Sequence, residues 1–269
     1  MGRSRKPLTA SAVRGFESLS LRRLRRNILP SFFIFDYQLF LMEENDYSPT
    51  RYTHSEEVAN TISHLLGVVM SLVVCPLFLS YAYKANDTLS IFCLWIYFFG
   101  VTASYLASSL YHVCPPDKVN SKLLLRKFDH AAIYWHIAGS YTPITLIAMY
   151  KYGVTEWAVS IFALVWLCAI IGTILTFRKI KTHSYFKTAC YVMMGLLILV
   201  AFKPFYDSVG VKTVVLVILE GVSYIVGAVL YSFKKVKYIH SVFHVFVLLG
   251  DVFHILALWR IIQLYLIVL

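Results

Sequence analysis

From about residue 58 onward the chain is a succession of apolar stretches of roughly 20 residues, separated by short clusters of charge. A helix of that length crosses a hydrocarbon core about 30 Å thick. In lipid a lone segment must satisfy its own backbone N–H and C=O groups, so each stretch is expected to be helical. Composition agrees: 59% of residues are hydrophobic and only 14% are charged. The apolar stretches mostly lack the polar face of a soluble helix. The expected fold is all-α, a polytopic membrane protein with a bundle of seven transmembrane helices. The spans are read at 58–83, 89–113, 129–150, 157–177, 185–203, 212–232 and 240–267. Residues 1–51 are read as a basic arm with a short interfacial segment, and 52–269 as the membrane domain.

The connections alternate in charge. Lys118, Lys122, Arg126 and Lys127 outweigh Asp117 after the second span. Arg178, Lys179, Lys181 and Lys187 follow the fourth, and Lys234, Lys235 and Lys237 follow the sixth, all unopposed. In the other three connections Lys84 offsets Asp87, Lys151 offsets Glu156, and Lys203 with Lys212 outweigh Asp207 by one. Basic loops stay cytoplasmic, so the N-terminus is expected inside and the C-terminus outside. The sequon Asn86-Asp87-Thr88 then falls in an external loop. This direction is opposite to that of rhodopsin-like receptors and counts against that class.

The net charge of +11 suggests nucleic acid only until it is mapped. Eight basic groups stand against Glu17 alone in residues 1–26, and the rest lie mostly in loops beside apolar spans. That distribution suits the bilayer and its anionic headgroups, and no nucleic-acid partner is expected. The arm reads as a membrane-surface segment or a transit peptide, and Met42 is an alternative start. Residues 28–42 are apolar but short, with Pro30 and Asp36, and read as interfacial. The five cysteines form no CxxC pair and read as small buried thiols.

Ionisable groups beside a membrane are costly, so their positions are informative. His112 closes the second span, Asp129 opens the third, and His240 and His244 open the seventh, all at the expected cytoplasmic end. His240 and His244 are one helical turn apart on one face and can reach a single ion. With His112 they make three imidazoles, the donor set of a catalytic Zn²⁺ with a fourth position open. Asp129 would hold or deprotonate a water there, and Ser108, one turn before His112, would support it or bind substrate. Hydrogen-bonded histidines without metal are the competing reading. Asp251 and His254 continue the His240 face as a polar stripe, about 20° and −40° from it at 100° per residue. Glu57, Asn60 and His64 form a polar face on the first span, read as interhelical hydrogen bonding. Glu220 is either a protonated buried acid or a cavity wall, and His136 either a surplus ligand or a deeper hydrogen-bonding group.

At these residues the sequence resembles the hemolysin III family, within the progestin and adiponectin receptor-like proteins. The resemblance covers about residues 52–267. It is carried by Glu57-Val-Ala-Asn60-Thr-Ile-Ser-His64, Ser108-Ser-Leu-Tyr-His112, Phe128-Asp129-His-Ala-Ala-Ile-Tyr134, Ile137-Ala-Gly-Ser-Tyr-Thr-Pro143 and His240-Ser-Val-Phe-His244-Val-Phe-Val. It implies seven helices with the N-terminus inside, and zinc near the cytosolic side on His112, His240 and His244. Asp129 would then stand next to the metal's water with Ser108 beside it. The wider group resembles lipid amide hydrolases, including alkaline ceramidases. The basic arm, His136 and Glu220 depart from the family pattern and leave cavity shape and substrate open.

Three functions follow as expectations. The first is a zinc-dependent hydrolase of lipid amides or esters. The second is a receptor for a lipid or lipid-like small molecule, with structural zinc and cytosolic signalling partners. The third is a membrane-lytic pore former, for which the sequence offers little. Plasma membrane and endomembrane are both compatible with the sequence.

Overall fold

The computed structural model describes residues 52–178, 184–233 and 235–267, and every regular element among them is helical. The helices are α1 (His54–Lys84), α2 (Thr88–Val113), α3 (Val119–Pro143), α4 (Thr155–Phe177), α5 (Ser184–Gly195), α6 (Phe202–Tyr231) and α7 (Ile239–Ile262). A π-helical segment, Ile144–Met149, and the turn Tyr150–Tyr152 prolong α3; a 3₁₀ segment, Leu196–Ala201, joins α5 to α6; Gln263–Ile267 prolongs α7. The expected arm with its segment 28–42, together with Lys179, Lys181 and Lys234, lies outside the described residues, as does the Lys187 side chain.

Five stretches of the described residues are long and apolar enough to cross a membrane: His54–Lys84, Thr88–Val113, Thr155–Phe177, Thr188–Tyr231 and Ile239–Ile267. The difference from the sequence expectation has two causes. Helix α3 begins at Val119, ten residues before the expected span, so Lys122, Arg126, Lys127 and Asp129 belong to the helix and make it too polar to qualify. The expected spans 185–203 and 212–232 run together within 44 residues. Their break falls at Gly210, with φ 71° and ψ 170°, a conformation open almost only to a residue without Cβ.

Helix α2 packs against α1 and α3, α7 against α6 and α1, and α3 against α4. The α2–α3 contact is a backbone approach. A Cβ on Gly139 would stand 3.2 Å from the Ile96 carbonyl oxygen, and one on Gly100 would press on that of Trp135. Small residues allow such closeness where helices associate in lipid. The polarity of the bundle is inverted relative to a soluble protein: Leu66, Leu72 and Val73 of α1 are exposed, whereas Asn60, His64 and Ser71 of the same helix are buried.

At the end of the bundle away from the histidines, Asp87 caps α2. Its carboxylate accepts from the Ser90 amide at 3.2 Å and the Ser90 hydroxyl at 2.6 Å, and it pairs with Lys151 after α3. Partial burial pushes the Asp87 carboxyl up, but Lys151 and the Ser90 donors outweigh it and hold the group below the ordinary 3.8. A depressed carboxylate stabilises the fold above its unfolded pKa, and the benefit fades as pH falls through the lower folded value. The thermal midpoint in detergent should therefore carry no Asp87-linked slope at neutral pH and an acid slope below the ordinary carboxylate value. Asp87→Asn should remove that part of the acid slope; an unchanged acid limb would refute the assignment.

Candidate metal centre

The site is built from the starts of α1, α3 and α7 and the end of α2. A capping box fixes the first of these. The Thr53 amide donates to Glu56 Oε2 at 2.8 Å, and Thr53 Oγ1 accepts from the Glu56 amide at 3.4 Å. From that start, Glu57, Asn60 and His64 recur at helical spacing along one face of α1. His112 lies in the last turn of α2, and His240 and His244 in the first turns of α7.

His112, His240 and His244 converge, with one ring nitrogen of each lying within 4.8 Å of the other two. His112 Nε2 is 3.1 Å from His240 Nε2. His112 and His244 are almost wholly buried. Their partners settle the tautomers. The Nδ1–H of His112 donates to Glu57 Oε2 at 2.6 Å. Ser63 gives its hydroxyl proton to the Asn60 carbonyl, so the Nδ1–H of His244 is the donor to Ser63 Oγ at 2.9 Å and to that carbonyl at 3.3 Å. Both rings thus keep Nε2 as a lone pair, the form that binds metal. The residues fit a metal ion: three imidazole nitrogens converge, two with outer nitrogens already engaged.

The support around them is also polar and paired. Glu57 Oε1 accepts from Lys122 Nζ at 2.8 Å, and Lys122 donates as well to the Cys114 carbonyl at 3.0 Å. Asn60 Oδ1 accepts from the Ser241 hydroxyl at 2.6 Å, tying α1 to α7. Ser108 is buried, and the Asp129 carboxyl is close enough to Ser108 and to His112 to interact with both. Asp129 is not among the groups that converge within 4.8 Å. A cavity of about 340 Å³ opens on His240 and is lined by Tyr52, Asn60, Tyr231, Lys237 and Tyr238 among others. Tyr52 stacks on His240 with ring centroids 5.3 Å apart. Burial, with Tyr231 beside it, pushes the Tyr52 phenol well above its ordinary value, so it remains a neutral group at the mouth.

The polar groups read from sequence therefore divide. His112, His240 and His244 meet, with Glu57 and Asn60 around them. His136 lies apart from that cluster and donates to Asp251 at 3.0 Å, the deeper hydrogen-bonding alternative. Glu220 pairs with His254, whose Nδ1 is 3.0 Å from its carboxylate. Unlike Glu57 and Asn60, His64 makes no interhelical hydrogen bond; it stacks on His244 at 3.5 Å between centroids. Two roles were not visible in the sequence. Lys122 counts there as a loop charge, and nothing local shows that Glu57 grips His112, 55 residues away.

The model of a family described as haemolysin-III related matches residues 52–255. The chain is 34% identical over 196 residues to "Hemolysin-3" of Bacillus cereus, covering 73% of this chain and 87% of that protein. It is 32% identical over 200 residues to "Hemolysin-3 homolog" of Bacillus subtilis (strain 168), covering 74% and 91%. It is also 25% identical over 218 residues to "Monocyte to macrophage differentiation factor" of Homo sapiens, covering 80% and 86%. The apolar helices and the family match together identify an integral membrane protein.

Proposed function

The chain belongs to the haemolysin-III-related family, and from that premise we propose a zinc-dependent intramembrane hydrolase of lipid amides or esters. The reading rests on one observation: one nitrogen of each of His112, His240 and His244 lies within 4.8 Å of the other two, while Nδ1 of His112 and of His244 is committed to acceptors on α1. His112, His240 and His244 would hold the ion, and three nitrogens without sulfur suit Zn²⁺ with one position left open. When bound, zinc supplies a Lewis acid that polarises a carbonyl and makes water nucleophilic near neutral pH. Asp129 would accept the proton that water gives up, and Ser108 would orient that carboxylate. The lipid class follows from position. The site lies at one end of an apolar bundle, and an end of a bundle that crosses the bilayer would stand near the amide and ester linkages that join headgroup to acyl chain.

The same proposal includes seven crossings with a cytoplasmic N-terminus. The 44 residues of Thr188–Tyr231 amount to about 66 Å of helix, twice a hydrocarbon core, and Gly210 breaks them. Helix α3 carries charge, yet Lys122 spends its own on Glu57 inside the bundle. The basic connections set the direction.

One observation favours a second reading, a receptor in which zinc is structural: the cluster and its supports tie α1, α2 and α7 together. A panel of long-chain amide and ester lipids in mixed micelles separates the two. Product that disappears on chelation and returns with zinc supports the hydrolase; zinc-replete protein inert toward the whole panel leaves the receptor. Glu57 gives a finer test. Glu57→Gln replaces the acceptor that orients His112, and zinc affinity, measured by competition with a chromophoric chelator, should weaken by about 10–100-fold. Unchanged affinity would remove Glu57 from the site.

A further inference from the structure

Below the histidine cluster lies a second buried system that the proposed chemistry does not use. Asp251 of α7 is fully buried, and its carboxylate accepts from three helices: the Tyr105 hydroxyl of α2, the Tyr224 hydroxyl of α6, and His136 Nε2 of α3 at 3.0 Å. One turn further along α7, His254 is fully buried with Nδ1 3.0 Å from Glu220 Oε2 of α6, against the Tyr97 ring of α2. Neutral side chains would brace helices in lipid at lower cost than two carboxylate–imidazole pairs. Ionisable chains of this kind within a membrane mark proton routes.

A second set of atoms points the same way. His254 Nε2, Ser140 Oγ and Thr213 Oγ1 are buried without a protein partner. Such atoms are usually satisfied by water. Ser140 is one turn beyond His136 on α3, and Thr213 two turns from Glu220 on α6, next to Lys212. Lys212 and Arg260 line an open groove at the far end of α7, about 30 Å along the helix from His240. On the other side of Asp251, His64 lies edge-on to Tyr105 with both ring nitrogens unpartnered.

We propose that these groups form a proton path through the bundle, with the Glu220–His254 and Asp251–His136 pairs as its two exchange sites. At the first pair, a proton taken from water at His254 Nε2 releases the Nδ1 proton to Glu220; Glu220 then gives that proton to water, and a flip of the imidazole ring restores the starting tautomer. At the second, a proton taken from water at His136 Nδ1 releases the Nε2 proton to Asp251 while Tyr105 and Tyr224 continue to donate; Asp251 then gives that proton to water, and a flip of the His136 ring restores the starting tautomer. One proton leaves for each that enters, and no other bond is broken.

The test is proton flux by full-length protein in liposomes of ether-linked lipid, which a lipid amide or ester hydrolase cannot cleave. A trapped pH dye reports flux driven by a potassium diffusion potential. The wild type should acidify the lumen faster than protein-free liposomes, and Glu220→Gln and Asp251→Asn should fall to the protein-free rate. The comparison uses equal amounts of monodisperse, helical protein, with His254→Phe as the alternative should Glu220→Gln not fold. Wild-type flux no faster than lipid alone overturns the proposal, as does flux that survives these substitutions. The readout needs neither zinc nor a lipid substrate, so it stands or falls apart from the hydrolase.

Discussion

Purified in detergent, the wild-type chain should carry about one zinc per molecule, and His112→Ala and His240→Ala should carry none. Loss should be near complete in each variant because two remaining imidazoles make a poor zinc site, and because His112 and His240 come from different helices. Inductively coupled plasma mass spectrometry on monodisperse protein measures this directly. Zinc lost in both variants establishes the ligands. A folded wild type that takes up no zinc when offered it would leave the three rings as hydrogen-bonding groups, and the hydrolase would go with the metal.

The second large effect belongs to Asp129. If Asp129 is the proton acceptor, Asp129→Ala should keep its zinc and lose about 10²–10⁴-fold in turnover. Zinc content and turnover are measured on the same preparation, which separates loss of chemistry from loss of the site. Full turnover in Asp129→Ala on every lipid the wild type hydrolyses would end this mechanism. Ser108→Ala should retain part of the activity if Ser108 only orients Asp129 and does not itself take the proton.

Much of the site was legible because its signals are local. The i, i+4 spacing of His240 and His244 puts both on one face whatever else the helix meets. His112 and Asp129 stand out as polar residues at the ends of apolar stretches. The partners of these rings were not legible. Glu57 lies 55 residues from His112, and Ser63 lies 181 from His244. Their pairing depends on how α1, α2 and α7 are rotated about their own axes. Lys122 shows the limit of charge counting, which sees a sign and cannot see that an ammonium is buried against a carboxylate. The same effect hid the start of α3, where charges that suggest a loop are folded into a helix.

The sequence by itself determined the solvent and the element type: stretches this apolar and this long must lie in lipid, and a chain in lipid must be helical there. It also determined which residues bear unusual chemistry, because an ionisable group in such surroundings is costly. Tertiary structure alone decided who the partners are. It paired Glu57 with His112, His136 with Asp251 and Glu220 with His254, and so separated one histidine cluster that fits a metal from a deeper set of carboxylate–imidazole pairs. The physical reason is that polarity within a segment is a local property, whereas hydrogen bonds between helices depend on rotations and close approaches. Gly100 and Gly139 permit one of those approaches, and its consequences appear only once the helices are packed.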